Sequence, residues 1–242
     1  MRLLAIDAAT SVFSVALGTE QDVWYFEADA GPRHSELALD CAGVLMRKAG
    51  LMPVDLSGVA CMGGPGSFTG LRIGFSLAKG LALSLGIPFV PVPTLDCMAY
   101  PFAAWPGLVV PVIDAKKNAF FCALYRDGRR ISAEMDAGPE EIAAAVAAVG
   151  RETRRPDEPL NVLLTGPDAD KLLRRLPSEY GRNQRLNIAG PAPEARRGYG
   201  RVLLELSRRD IAQKDQIFNN DDMDYFSGPL YIRKSDAELN AR

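Results

Sequence analysis

The stretch of this sequence best suited to chemistry is the glycine-rich run Gly63–Gly70, which reads Gly-Gly-Pro-Gly-Ser-Phe-Thr-Gly. An apolar segment leads into the run, and a long apolar segment with helical spacing leads out of it. Such a strand, loop and helix exposes backbone N–H groups at a helix N-terminus, where they hold an anion or let another backbone segment approach closely. The candidate anion-site residues in the run are Gly64, Gly66, Ser67 and Thr69.

The run differs from the two best-known phosphate-binding loops. A Walker A loop ends in Gly-Lys-Ser/Thr, whereas the next lysine here, Lys79, lies roughly 15 Å along a helix from Thr69. The Rossmann fingerprint needs a third glycine, and this chain has Thr69 at that place. The fingerprint also needs an acid at the end of the next strand, and this chain has none at the right distance. Two interpretations therefore stay open: a degenerate anion site, or a tight turn in which the backbone itself requires glycine.

The histidine clusters and cysteine spacings that bind zinc are missing from this sequence. His34 is the one histidine, and no nucleophile and base lie near it in sequence, so we expect it to start a helix or lie at a surface. The four cysteines lack Cys-x-x-Cys spacing and lie in apolar segments, which indicates buried free thiols in a reducing cytoplasm. They are Cys41, Cys61, Cys97 and Cys122.

The composition predicts a soluble globular protein of the cytoplasm. Of the 242 residues, 48% are apolar and 24% are charged, and no apolar run reaches the length of a membrane span. The first residues lack the pattern of a signal peptide. The formal net charge of −2 and the pI of about 5.6 argue against nucleic-acid binding through a broad basic surface.

Hydrophobic periodicity predicts alternating strands and helices in the first half of the chain. Three short strands precede a helix, and the order βββ-α-β-α-β is that of ribonuclease H-like folds. The predicted elements are strands at 2–7, 12–17 and 23–26, a helix over 33–49, a strand at 58–62, a helix over 70–85 and a strand at 87–92.

The same order then repeats. Residues 6–17 align without a gap with residues 113–124, with six identities in twelve positions, including Ile-Asp-Ala at the end of the first strand. The repeat indicates an α/β protein with a duplicated ribonuclease H-like fold, as in the actin, Hsp70 and sugar-kinase (ASKHA) superfamily, with mixed sheets flanked by helices. The later predicted elements are a strand near 130–135, a helix over 139–149, a strand at 160–165 and a helix over 168–176.

The repeat predicts two domains. The first domain is expected to span residues 1–104, and the second, smaller domain residues 105–192. A helix from Glu194 to Arg208 and a tail follow them, within 193–242. The tail from Asn219 is acidic, then aromatic, then basic, and we expect it to be partly ordered at best.

The glycine-rich run, extended to Gly-Pro-Gly-Ser-Phe-Thr-Gly-Leu-Arg-Ile-Gly, closely resembles the motif of the TsaB (YeaZ) family. The resemblance extends to Ile6–Thr10, to Arg33–Glu36 and to Pro229–Lys234, and it thins out between about 130 and 215. That family is the partner of TsaD in making N6-threonylcarbamoyladenosine (t6A) on tRNA. The resemblance implies a non-catalytic subunit of the transferase complex.

In nucleotide-binding members of the ASKHA superfamily, each half ends its first strand with an acid near the phosphates or their metal. Asp7, with Thr10 close behind it, fits the first place, and Asp114 fits the second. Alternatively, both acids cap inherited turns. After Asp114 the chain has Ala-Lys-Lys, which cannot form a glycine cradle for phosphate. We therefore expect no tightly bound cofactor, although the resemblance leaves room for ATP or ADP at the interface of the complex.

The resemblance also implies that the catalytic metal centre is missing from this chain. TsaD carries a His-x-x-x-His pair after a Gly-Ile-Pro strand, and Thr94 and Met98 occupy those two places here. Neither residue makes a good ligand for catalytic iron or zinc.

The helix over 70–85 is apolar or small on every side, so both of its faces need a cover, and a sheet covers only one. The helix over 35–48 lies beside it. We expect a partner interface here, although the protein's own tail helix is an alternative cover. The predicted interface residues are Leu37, Cys41, Leu45, Leu71, Arg72, Phe75, Ala78, Lys79 and Ala82.

The resemblance implies that the chain is a scaffold that supports TsaD, together with the ATPase TsaE, in modifying position 37 of tRNAs that read ANN codons. It also implies that the helix and tail within 193–242 pack back on the first domain. The chain is expected to form a homodimer when alone and to meet tRNA only through the complex, away from membranes. The rival predictions are a glycoprotease-like metallopeptidase and an ATP-binding kinase-like enzyme. One histidine and the glycine-poor second loop argue against them.

Overall fold

Two compact units make up the part of the chain that the computed structural model describes. The first unit contains the described residues within Met1–Cys97 and Arg197–Tyr231, and the second contains those within Met98–Arg196. The described residues are 1–31, 33–152, 159–177, 186–190, 197–214 and 228–229.

The strands of the first unit are β1 (Leu3–Asp7), β2 (Val12–Gly18), β3 (Val23–Asp29), β4 (Gly58–Met62) and β5 (Phe89–Val92). They form one sheet in the order β3-β2-β1-β4-β5. β1 pairs antiparallel with β2 and parallel with β4, and β5 pairs parallel with β4. This is the predicted ribonuclease H-like order. Strands β1, β2 and β4 are buried along their whole length, because helices cover both faces of the sheet.

The described residues contain six α-helices: α1 (His34–Lys48), α2 (Phe68–Leu85), α3 (Thr94–Ala99), α4 (Pro139–Glu152), α5 (Ala169–Arg175) and α6 (Gly200–Lys214). In the first unit, α1 and α2 share a hydrophobic core with Leu4 and Ile6 of β1. Side chains alternate across a strand, so the neighbouring Leu3 faces the other way, and there it lies beside Ile211 of α6. The sheet of the first unit therefore lies between α1 and α2 on one face and α6 on the other.

The second unit repeats the arrangement. Its strands are β6 (Leu108–Lys116), β7 (Ala119–Cys122), β8 (Tyr125–Arg126), β9 (Arg129–Arg130), β10 (Met135–Ala137), β11 (Leu160–Thr165) and β12 (Leu186–Ala189). The order β10-β7-β6-β11-β12, with β6 antiparallel to β7 and parallel to β11, matches the first sheet. α4 and α5 pack in the core of this unit. The predicted duplication, and with it the ribonuclease H-like fold class, is confirmed.

Some boundaries differ from the predictions. The third strand of the second unit is β10, because the residues near 130 instead form the short β8–β9 hairpin, which turns at Asp127 and Gly128. β12 was not predicted, since four residues in a charged segment carry little periodicity. The helix expected from Glu194 begins at Gly200. The predicted tail from Asn219, apart from Gly228 and Pro229, lies outside the described residues.

Candidate functional site

In the first unit, the carboxyl ends of β1, β4 and β5 meet at one edge of the sheet, because these strands run parallel. The glycine-rich run follows β4 at this edge, and the turn after Asp7 follows β1. In open α/β sheets this edge is where ligands usually bind. The sequence-predicted residues of the first unit are therefore brought together, as a nucleotide site would need.

The glycines of the run let two backbone segments approach each other. A Cβ atom at Gly66 would lie 2.5 Å from the carbonyl oxygen of Ala9, and one at Gly70 would overlap the carbonyl oxygen of Ala8. The N–H of Ser67 donates to the Ala9 carbonyl at 2.7 Å. The turn after β1 therefore occupies the place where a phosphate would contact the run, and this geometry supports the tight-turn interpretation.

The remaining candidates in the run lie just before α2 or in its first turn. Gly64 has a φ of 107°, a conformation that favours glycine. The Ser67 hydroxyl is the N-cap and accepts a hydrogen bond from the Gly70 N–H at 3.3 Å. Thr69 is exposed on the first turn of the helix.

Asp7 is fully buried, and three protein groups donate hydrogen bonds to its carboxylate. They are the N–H groups of Ala9 at 3.1 Å and Tyr199 at 2.8 Å, and the hydroxyl of Ser14 at 3.2 Å. Burial raises the pKa of Asp7 to about 6, although the hydrogen bonds lower it. Asp7 therefore has no exposed surface for a metal ion or a nucleotide.

The groups around Asp7 hold the segment that leads into α6. The Gly200 N–H donates to the Ser14 hydroxyl at 2.9 Å, and the Gly198 N–H donates to the Glu27 carboxylate at 2.9 Å. The Tyr25 hydroxyl donates to Glu27, and its oxygen lies 3.1 Å from the Gly198 carbonyl oxygen. Carboxylates are favourable at a helix N-terminus, where they accept from otherwise unpaired N–H groups. Asp7 and Glu27 therefore anchor the returning chain on the first unit.

Thr10 and His34 also have structural roles. The Thr10 hydroxyl lies 3.3 Å from both the N–H and the carbonyl of Val12, which closes a local turn. His34 begins α1 as predicted, but it is buried against Phe13, with ring centroids 6.0 Å apart. The pKa of His34 is lowered overall, because the effect of burial exceeds the opposite effect of hydrogen bonds with the backbone of Thr10 and Ser11. The neutral imidazole is thus a core group, and the alternative of a surface position is wrong.

In the second unit, Asp114 is paired with lysines. Its carboxylate accepts from the Lys171 ammonium at 3.1 Å, and the Lys116 ammonium lies 3.5 Å away. The same Lys171 ammonium lies 2.6 Å from Asp168, whose other oxygen accepts from the Asp114 N–H at 2.9 Å. Burial raises the pKa of Asp114, but the Lys116 N–H and Lys171 outweigh it and hold the pKa below its usual value.

The two residues at the places of the catalytic histidine pair, Thr94 and Met98, are both fully buried. The Thr94 hydroxyl has no hydrogen-bond partner among the described residues. No group of three or more histidine, cysteine or acidic side chains in the described part of the chain is arranged to hold a metal ion. The residues at these places do not fit a metal centre.

Most of the predicted interface residues are core residues, and that part of the prediction is wrong. Cys41 and Leu45 of α1, with four residues of α2, are buried in the core of the first unit. The sequence could not separate the two faces, because α2 carries small or apolar residues on every side. Leu37 and Lys79 are half-buried, and Arg72 is exposed, with its guanidinium 3.8 Å from the Phe68 ring centroid. The four buried residues of α2 are Leu71, Phe75, Ala78 and Ala82.

The exposed side of α1 and α2 carries a different set of residues, which we call the outer face. Three large apolar side chains are exposed there: Leu39 by 59%, Val44 by 43% and Leu83 by 51%. Ser76 and Gly80 are exposed on α2, and a Cβ at Gly80 would meet nothing within 4 Å. The outer face therefore combines these apolar side chains with exposed charged ones, such as Asp40 and Arg72, and has no side chain at Gly80.

Other functional candidates were missed by the sequence analysis. Ser14 contacts Asp7 across 7 sequence positions, and Lys171 contacts Asp114 across 57. Glu27 accepts from Gly198, which precedes the Tyr199 that donates to Asp7. Nothing local in the sequence marked these three residues. The one local signal was Asp168 three residues before Lys171, which places both on one side of α5.

The repeated sheets and the two internally paired acids define the class: a duplicated ribonuclease H-like protein of the ASKHA type whose acid positions are occupied by its own groups. A family model described as TsaD, tRNA N6-adenosine threonylcarbamoyltransferase, matches residues 28–160, more than half of the chain. The chain belongs to the TsaB (YeaZ) family within this group of related proteins. No helix among the described residues is long and apolar enough to cross a membrane.

Curated relatives agree with this membership. The chain is 35% identical over 127 residues to the tRNA threonylcarbamoyladenosine biosynthesis protein TsaB of Bacillus subtilis, covering 52% of this chain and 56% of the relative. It is 39% identical over 132 residues to TsaB of Escherichia coli, covering 52% and 55%. The chain thus spans about half the length of the curated relatives it matches. YeaZ from Pseudomonas aeruginosa has the same fold, with a TM-score of 0.69, 22% identity and coverage of 96% and 99%.

Proposed function

We propose that this protein is a non-catalytic subunit of the machinery that makes t6A at position 37 of tRNAs reading ANN codons. In this proposal it binds and supports TsaD, which performs the transfer, together with TsaE. The curated relatives at 35% and 39% identity are named as biosynthesis proteins of this modification. The four cysteines are buried free thiols, which fits the proposed location in the reducing cytoplasm.

The observation that carries the proposal is that the chain uses its candidate catalytic groups for its own structure. Asp7 anchors the start of α6, Asp114 is paired with Lys171, and Thr94 and Met98 are buried. An active ASKHA enzyme needs such groups open to substrate. The chain alone is therefore proposed to bind no tightly held cofactor, and any ATP or ADP belongs to the interface of the complex.

We assign the partner surface to the outer face, in place of the buried residues predicted from sequence. Leu39, Val44 and Leu83 supply apolar area that a partner would remove from water. Gly80 leaves the α2 backbone bare, so a partner helix can approach closely. In this proposal the same face joins two copies when TsaD is absent, and tRNA is met only through TsaD.

A substitution at Gly80 tests this surface with little effect on the fold, because a side chain there meets no neighbour. Gly80→Arg places bulk and charge in the middle of the proposed contact, so it should abolish association with TsaD. Gly80→Ala is the matched control, since it adds one methyl group and stabilises the helix by roughly 0.5–1 kcal/mol. Light scattering of each variant, alone and mixed with TsaD, measures the outcome.

Cells that carry only the Gly80→Arg variant should also lose t6A, which mass spectrometry of their tRNA would show. A Gly80→Arg variant that melts like the wild type yet binds TsaD normally would place the partner surface elsewhere. Normal t6A in cells that lack the protein altogether would contradict the proposed function itself.

A further inference from the structure

A lysine ammonium lies between two carboxylates at the carboxyl end of β6. Lys171 Nζ is 2.6 Å from Asp168 Oδ1 and 3.1 Å from Asp114 Oδ2. Both aspartate side chains are 14% exposed, whereas the Lys171 side chain is 37% exposed. The ammonium therefore bridges two acids that lie mostly out of solvent.

Backbone groups fix the direction in which these carboxylates point. The Asp114 N–H donates to Asp168 Oδ2 at 2.9 Å, and the Lys116 N–H donates to Asp114 Oδ1 at 2.8 Å. Each carboxylate is thus held through one oxygen and turns the other oxygen towards Lys171. Two converging carboxylate oxygens are the donors that magnesium, calcium and manganese prefer. The lysine stands where such an ion would be bound.

We infer that Lys171 serves as a built-in cation that keeps the Asp114–Asp168 pair closed to divalent metal ions. The ammonium balances negative charge that would otherwise attract a metal ion. Because it is covalently part of α5, it stays near the pair and cannot dissociate as a free ion would. The inference concerns this chain alone and holds whether or not the chain assists TsaD.

Lys116 provides an internal comparison. Its ammonium lies 3.5 Å from Asp114 Oδ2, but its side chain is 79% exposed. An exposed pair of this kind contributes little, because water screens the charges and the long side chain moves freely. Removing Lys171 should therefore leave two carboxylates facing each other, with a net negative charge that Lys116 does not neutralise.

The test is a titration of manganese(II) alone into the full chain, followed by the paramagnetic resonance signal of the free ion. The wild type should bind no ion at this pair. Lys171→Met keeps the length of the side chain and removes its charge. It should bind one ion with a Kd on the order of 10⁻³ M or tighter, at least tenfold tighter than the wild type. Lys116→Met is the matched control and should behave as the wild type does.

A second substitution ties the ion to the pair. Adding Asp168→Asn to Lys171→Met should remove the new binding, and manganese should raise the Tm of Lys171→Met but not that of the wild type. If Lys171→Met does not fold, Lys171→Gln replaces it, since its amide can still donate to one carboxylate. The inference is overturned if the folded neutral variant binds no more manganese than the wild type, or if the wild type binds the ion equally well.

Discussion

Asp7 in the first unit and Asp114 in the second lie in equivalent strands and in the same Ile-Asp-Ala sequence, yet their carboxylates have different hydrogen-bond partners. Asp7 is fully buried and accepts from two backbone N–H groups and one hydroxyl. Asp114 is partly exposed and pairs with the ammonium of Lys171. One acid is part of a core, and the other is half of a partly exposed ion pair.

The difference shows two routes by which a duplicated fold can close an acid position with its own groups. In the first unit, the segment that leads into α6 brings its own N–H groups to the acid, and the glycine-rich run packs against the neighbouring turn. In the second unit, a single lysine one helical turn after Asp168 supplies the positive charge. The first route is tied to the fold of the whole unit, whereas the second depends on one side chain. Substitutions at the two acids should therefore differ in how much they lower the free energy of unfolding.

The largest effect is expected for Asp7→Ala. The change leaves two buried N–H groups and the Ser14 hydroxyl without their acceptor, at a cost on the order of 3 kcal/mol or more in the free energy of unfolding. Urea unfolding of the variant and the wild type at pH 7 measures it. Hydrogen exchange should speed up in α6, because its anchor is lost. A loss below about 1 kcal/mol, within the range of a surface change, would show that Asp7 does not anchor the returning chain.

A pH dependence is the next largest effect. The pKa of Asp7 rises from 3.8 to about 6 on folding, so its stabilising contribution is full below pH 3.8 and is lost as the pH rises through about 6. Relative to Asp7→Asn, which does not titrate, the wild type should lose roughly 2 kcal/mol between pH 4 and 7. Urea unfolding of both proteins across this window measures the difference. A difference that does not change with pH would mean that the carboxylate is not desolvated.

A small effect is expected for Asp114→Ala. The ion pair that it removes includes a lysine that is 37% exposed, and such pairs contribute about 1 kcal/mol or less. High salt should narrow the gap between this variant and the wild type, because exposed charges are screened. Urea unfolding with and without salt measures both points. If the Asp114→Ala variant were as unstable as Asp7→Ala, the proposed difference between the two units would be wrong.

The sequence was sufficient to predict the fold because its signals are local or repeated. Ile6-Asp7-Ala8 and its copy at 113–115 mark the first strand of each unit, and the sheets have the strand orders that the repeat predicts. β12 escaped prediction, since a four-residue strand is decided by its pairing with β11 rather than by its own pattern.

The faces of α2 and the surroundings of the acids could not be predicted from the sequence. Phe75 packs edge-on against Phe89 in the core, with ring centroids 4.9 Å apart, and Leu83 is exposed, but both belong to a helix with apolar or small residues on every side. Asp7 meets Tyr199 from 192 positions away. Contacts of that length follow from how the chain folds back, which composition and periodicity do not encode.

The central claim is that both acid positions are closed by the protein's own groups, and calorimetric titration of magnesium-ATP into the purified chain tests it most directly. The account predicts no saturable binding up to millimolar nucleotide, for the wild type and for Asp114→Asn alike. One-to-one binding at micromolar nucleotide, abolished by Asp7→Asn or by Asp114→Asn in a protein that still melts cooperatively, would contradict it.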